Sequence, residues 1–69
     1  MELEVIKRRK WASEEPFLLV LADGRRIEVP ERFAIAMGGP TVVVCARNGR
    51  VHRLAAAEIV GIEEQVASK

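Results

Sequence analysis

Phe17-Leu18-Leu19-Val20-Leu21-Ala22-Asp23-Gly24-Arg25-Arg26-Ile27-Glu28-Val29 is the stretch from which the fold can be read. Its first five residues are uniformly apolar. After Asp23-Gly24 the pattern alternates, Ile27 and Val29 against Arg26 and Glu28, which is the period that a pleated strand imposes on a half-buried segment. Asp-Gly suits the positive φ angles of a type I′ turn, so a tight β-hairpin is expected here. Pro30 has no amide donor and should bend the chain.

Downstream the strand pattern continues. Phe33, Ile35 and Met37 fall on one face and Ala34 and Ala36 on the other, until Gly38-Gly39-Pro40 breaks the run. Thr41 to Ala46 is a second β-branched run, Asn48-Gly49 is the strongest hairpin signal in the chain, and Arg50 to Leu54 returns as a strand. Placing Val51 and Leu54 on the same side requires a register slip near Arg53, the mark of a bulge. Ala55 to Ala57 reads as one helical turn or a loop, Glu58 to Ile62 closes the strand series, and residues 63 to 69 read as a frayed polar tail.

Upstream, Leu3, Ile6 and Lys10 recur at helical spacing over residues 3 to 13, with Val5 and Trp11 nearby. Glu2 and Glu4 precede Lys7, Arg8, Arg9 and Lys10, a charge order that complements the helix dipole. Pro16 disfavours helical geometry at Glu15, so the helix should stop near Ser13. The expected fold is therefore α+β and mostly β: a short N-terminal helix and a five-stranded antiparallel small barrel of the Sm or SH3 kind, in one domain over residues 1 to 69. The central runs Leu18 to Leu21 and Val42 to Val44 are apolar on both faces and call for cover on both sides. One cover is the barrel interior; the other is the helix, through Leu3, Ile6 and Trp11, or a second subunit.

Composition limits the function. A chain of 69 residues buries only about 60% of the surface its unfolded form exposes, too little for a large cleft. The longest apolar stretches fall far short of the roughly 20 residues of a membrane span, and the basic N-terminal region does not read as a signal peptide. A soluble cytoplasmic protein is expected, without membrane contact. Cys45, the single cysteine, cannot form an internal disulfide and reads as a small buried hydrophobe, and the single histidine, His52, reads as an outward-facing strand residue. One histidine, one cysteine and few hydroxyl groups cannot assemble a triad or a metal cage, so no enzyme activity, catalytic residue, cofactor, metal or small-molecule substrate is expected. A core this small commonly gains stability by association, and a homo-oligomer is expected.

Charge is the feature with functional content. Residues 1 to 53 hold ten Lys and Arg against seven Asp and Glu, net +3; residues 54 to 69 hold one against three, net −2. The cations cluster at Lys7, Arg8, Arg9 and Lys10 on the helix and at Arg47, Arg50 and Arg53, with His52, around the Asn-Gly hairpin. These eight residues are the candidate contacts to an RNA or DNA backbone. Trp11, Phe17 and Phe33 are the only aromatics and are expected in the core, which leaves no platform for stacking bases. The alternative is a structural or protein-interaction module in which the same arginines protect sheet edges.

The pattern Pro16-Phe17, Leu21-x-Asp23-Gly24-Arg25, Val29-Pro30, Phe33, Thr41-Val42-Val43-Val44, Asn48-Gly49 and Ile59-x-x-Ile62-Glu63 resembles a family of short uncharacterised bacterial proteins, over residues 3 to 63. These marks are turn and core positions, so the resemblance implies a fold and no activity. The order of helix and five strands is also similar to that of the Sm and Hfq proteins, whose rings bind RNA. Val51-His52-Arg53 resembles the basic segment of the second Hfq motif, in which a Lys-His pair contacts RNA; the aromatic before that pair and the rest of the motif are missing.

Overall fold

The apolar run Phe17–Leu21 becomes a central strand, β1, because both of its edges find partners. A computed structural model describes residues 1–65; of the tail expected over 63 to 69, residues 66–69 lie outside the described residues. β1 is flanked by β2 (Arg26–Val29) and β6 (Ile59–Glu64), both antiparallel. A second three-stranded antiparallel sheet follows the order β3 (Ile35–Gly38), β4 (Thr41–Cys45), β5 (Val51–Ala55). The helix α1 spans Leu3–Ala12, and Ser13 ends it by turning extended.

The expected closed five-stranded barrel is corrected: the described residues form six strands in two sheets. Pro30 does more than bend one long strand. The chain beyond it enters a short 3₁₀ turn, Arg32–Ala34, so its two halves, β2 and β3, pair in different sheets. Phe33 sits in that turn, outside the alternation that buries Ile35, and is 76% exposed. Residues 55 to 57, left open between helical turn and loop, include the start of a second 3₁₀ turn, Ala56–Glu58. Glu58 accepts the Ala55 N–H at 2.9 Å, and Ala56 N–H donates to Pro40 C=O at 2.8 Å, tying this corner to the β3–β4 turn. The last strand is longer than expected, since Glu63 and Glu64 pair with Leu18 and Phe17.

Both principal hairpins are built alike, and neither has a type I′ turn. Gly24 N–H donates to Leu21 C=O and Leu21 N–H to Arg25 C=O; Gly49 and Ala46 repeat this with Arg50. Only Gly24 (φ 92°) and Gly49 (φ 87°) take positive φ in these loops, while Asp23 and Asn48 do not. This is a type I turn closed by a glycine bulge. The Asp23 and Asn48 side chains instead accept the N–H two residues on, from Arg25 and Arg50, each at 3.0 Å.

Strand register decides which residues enter the core. Ile35, Val44 and His52 form one row of the second sheet, and Met37, Val42 and Leu54 the next. Directly paired residues share a face, so His52 lies on the core-facing side of β5, half-buried, and not outward as expected. Val51 takes the outer side, 64% exposed. No slip near Arg53 is then needed: β4 and β5 pair without interruption. The irregularity lies between β1 and β6, where Val20 pairs with Gly61 but Leu21 with Ile59, so Val60 is the extra residue and is exposed. Cys45 pairs with Val51 on the outer face and is exposed, not buried.

The two inner faces share one core with the helix: Ile6 from α1, Phe17, Leu19, Leu21, Ile27, Val29 and Ile59 from the first sheet, Ile35, Val42, Val44 and Leu54 from the second. The expected cover from the helix comes through Ile6, fully buried, and partly through Leu3; Trp11 contributes little, being 58% exposed. Over the outer face of β1, Arg26 of β2 reaches across to Glu63 of β6 with Nε to Oε1 at 2.8 Å, so an ion pair lies above half-buried Leu18 and Val20.

Ile6→Ala should lower stability by about 2–5 kcal/mol, the cost of removing buried methylenes that cannot fully collapse. Val60→Ala, on the bulge, should stay within about 0.5 kcal/mol. Gly49→Ala should cost about 1–2 kcal/mol from the left-handed backbone alone, because a Cβ there would meet open space. Urea denaturation of the three variants checks all these values.

Candidate functional site

The eight candidate contacts divide sharply in the fold. Arg9 belongs to the architecture. Its guanidinium lies 4.5 Å above the Phe17 ring and donates two hydrogen bonds to the Glu64 carboxylate, from Nε and Nη2, each at 2.6 Å. Nη2 also reaches Glu15 C=O at 3.2 Å, and the side chain is only 11% exposed. Register explains the meeting: Glu64 pairs with Phe17 and shares its face, so Arg9, two residues beyond Lys7 on α1, closes that end of the core. Lys10 is also engaged, its Nζ donating to Ile35 C=O at 2.9 Å. At the other end of α1 the Met1 amino group donates to the carbonyls of Ala56 and Ile59, at 2.9 and 2.7 Å.

Around the second hairpin, Arg47 turns toward β2 and donates to Glu28 from Nε at 2.9 Å and from Nη2 at 3.3 Å, joining the two sheets. His52 is half-buried on the inner side. Lys7, Arg8, Arg50 and Arg53 are exposed, and no ion pair engages them among the described residues. They fall into two pairs on separate elements: Lys7 and Arg8 on α1, Arg50 and Arg53 at the second hairpin and on β5. Arg53 stands on the outer face of the second sheet in a row with Val43 and Ala36.

Two aromatics expected in the core lie instead on the surface, because the positions of their neighbours along the chain do not show which side of the core each ring meets. Trp11 and Phe33 are exposed and meet edge to face, with ring centroids 6.2 Å apart and planes at 79°. Cations attend them: Arg32 Cζ lies 5.3 Å and Lys10 Nζ 5.2 Å from the Trp11 ring centroid. Arg32 Nε is buried without a hydrogen-bond partner among the described residues, and the cation–π contact of the guanidinium with the indole is the interaction the group does make there. The detectable sequence signal was Phe33 following Pro30 closely enough to fall in a turn instead of a strand.

The outer face of the second sheet is the other unusual surface. Ala36, Cys45, Val51 and Ala55 are exposed and Val43 and Thr41 half-exposed, with Arg53 the one charge among these positions. Cys45 and His52 occupy opposite faces, since Cys45 pairs with exposed Val51 and His52 with buried Val44, so the thiol and the imidazole do not converge.

Ion pairing predicts the acid response. The Glu64 carboxyl titrates below its ordinary 4.5, chiefly through its hydrogen bonds from Arg9. Arg47 lowers Glu28 in the same way and Arg26 lowers Glu63. Asp23 is lowered chiefly by the Arg25 backbone N–H. A carboxyl with a depressed folded pKa stabilises the fold above its unfolded pKa and loses that contribution as pH falls through the folded one. Stability should therefore be level from pH 7 to about 5 and decline below about 4.5, the ordinary unfolded range. Arg9→Ala should cost about 1–2 kcal/mol at neutral pH, from the lost contacts with Phe17 and Glu64, and should show a shallower decline in acid. Thermal melts from pH 7 to 3 measure both effects; an unchanged acid slope in Arg9→Ala would refute the assignment to Glu64.

Comparison of the chain with protein-family models, curated proteins and solved structures finds no match.

Proposed function

We propose that this chain is a small non-enzymatic binding module that engages an RNA or DNA backbone, working as a homo-oligomer. The observation that carries the reading is the set of four exposed cations, Lys7, Arg8, Arg50 and Arg53, that no ion pair engages among the described residues. Arg9, Lys10 and Arg47 serve the fold first, and His52 lies half-buried on the core-facing side of β5, which narrows the eight candidate contacts to these four. An intramolecular carboxylate competes with phosphate for a guanidinium, whereas an unpaired cation releases a counterion from the nucleic acid on binding. The separation of Cys45 from His52 supports a non-enzymatic role, because nucleophilic catalysis needs its base within hydrogen-bond reach.

Four phosphate contacts on a single strand imply a salt slope near −3 in log K against log[salt], and binding in the non-specific range, about 10⁻⁴ to 10⁻⁶ M at physiological salt. Replacing Lys7 and Arg8 with Ser, or Arg50 and Arg53 with Ser, should each reduce that slope by roughly 1.4. Titration of mixed-sequence RNA and DNA over a range of salt tests this, and absence of binding at low salt would dismiss the nucleic-acid reading.

A second reading, a structural or protein-interaction module, draws on the outer face of the second sheet, where Val51 is 64% exposed beside Cys45 and shares the face with Ala36 and Ala55. Such a face, next to the open edge of β5, is suited to burial against another copy. Sedimentation over a wide concentration range should show self-association, weakened by Val51→Lys with the monomer's stability changed by no more than about 0.5 kcal/mol. A monomer at every concentration would remove the oligomer from both readings.

A further inference from the structure

Of the three aromatic side chains in the chain, Phe17 is 1% exposed while Trp11 and Phe33 remain 58% and 76% exposed. A domain this small needs apolar area in its core, so two large rings left on its surface in mutual contact require an explanation. They arrive from different elements, the last turn of α1 and the 3₁₀ turn after Pro30, and their edge-to-face contact is fixed on both sides. Lys10 is tethered to Ile35 C=O, and Arg32 rests on the indole. The pair is thus ordered before any ligand arrives, which lowers the entropic cost of binding.

The charges around it are arranged unequally. On one side Lys7 and Arg8 line a shallow groove with Trp11, Ala12 and Glu4. On the other, Phe33 and Arg32 line a hollow with Glu14 and Glu31. Phosphate is favoured on the first side and opposed on the second, where two carboxylates face one guanidinium. A ligand suited to this surface carries its negative charges along the helix and lays a flat, uncharged ring toward Phe33.

We propose that Trp11 and Phe33 form a stacking seat for an unpaired base, with the backbone of the strand running past Lys7 and Arg8, so that the ligand is single-stranded nucleic acid. This rests on the nucleic-acid reading and deepens it. Every base offers a π-face, and stacking on aromatic side chains is tolerant of sequence. A base inside a duplex is already stacked between its neighbours and cannot reach the seat, so discrimination is between single and double strands.

Trp11 is the only tryptophan, so its emission reports directly on the seat. The full chain is titrated at low salt with a short mixed-sequence single strand and with the same sequence as a duplex. The single strand should quench Trp11 and bind at least tenfold more tightly than the duplex. Followed by the fluorescence anisotropy of a dye-labelled strand, which does not depend on Trp11, Phe33→Ala and Trp11→Ala should each weaken the single strand by about 5- to 150-fold, the range expected for loss of stacking on one base, with the salt slope unchanged. Lys7→Ser with Arg8→Ser should lower the slope and leave the preference for the single strand. Equal affinity for both forms, or full single-strand binding by folded Phe33→Ala, would overturn the stacking seat while the phosphate reading stands. No binding of either form at low salt would overturn both.

Discussion

Arg9 is the side chain on which the arrangement of this protein turns. Two three-stranded sheets and one helix have to share a single core, and the end of that core at Phe17 would otherwise lie open. A guanidinium suits the position: its flat face covers an aromatic ring while its edge donates to a carboxylate and a backbone carbonyl. Together with Lys10 at Ile35 and the Met1 amino group at Ala56 and Ile59, it fastens α1 to both sheets. Ile6 can then be fully buried between those attachments.

Fastening the helix this way has consequences for the surface. Four consecutive cations on a helix cannot all point the same way, because successive residues turn by about 100°. Arg9 and Lys10 turn toward the sheets, and Lys7 and Arg8 are left facing water. The rotation that seats Ile6 and Arg9 inside also carries Trp11 to the edge, where Phe33 meets it. The architecture therefore generates an aromatic pair flanked by cations as a by-product of closing its core, and the proposed binding role uses what the core does not.

Polar bonds also manage strands that are apolar on both faces. Over β1 the outer side is half-covered by the Arg26–Glu63 pair, and Arg47–Glu28 ties the second hairpin to β2. These exposed pairs contribute little to stability individually. Their effect is to occupy arginines that composition alone would assign to a ligand. The outer face of the second sheet has no comparable cover among the described residues, which is why the self-association reading centres on Val51 and not on Leu18 or Val20.

How much was legible in the sequence follows from the range of the interactions concerned. The helix near residues 3 to 13, both Gly-centred hairpins, a change of direction at Pro30 and most of the core are written in local spacing: turn residues act over four positions, and alternation over two. Even the turn type was decided by a local competition that dipeptide preference does not capture, since Asp23 and Asn48 accept a backbone N–H and leave the positive φ to glycine. Register and pairing lie beyond that range. Whether His52 or Val51 faces inward depends on which residue of β4 stands opposite, and whether a strand after a proline rejoins its sheet depends on which other edges remain unpaired. The fate of Arg9, Arg47 and Trp11 was equally out of reach, because their neighbours Glu64, Glu28 and Phe33 are 55, 19 and 22 residues away in the chain. By itself the sequence determined the elements and the cations available; only the tertiary structure decided which cations the fold retains and which rings it leaves in water, because that choice is made by contacts between segments brought together when the core closes.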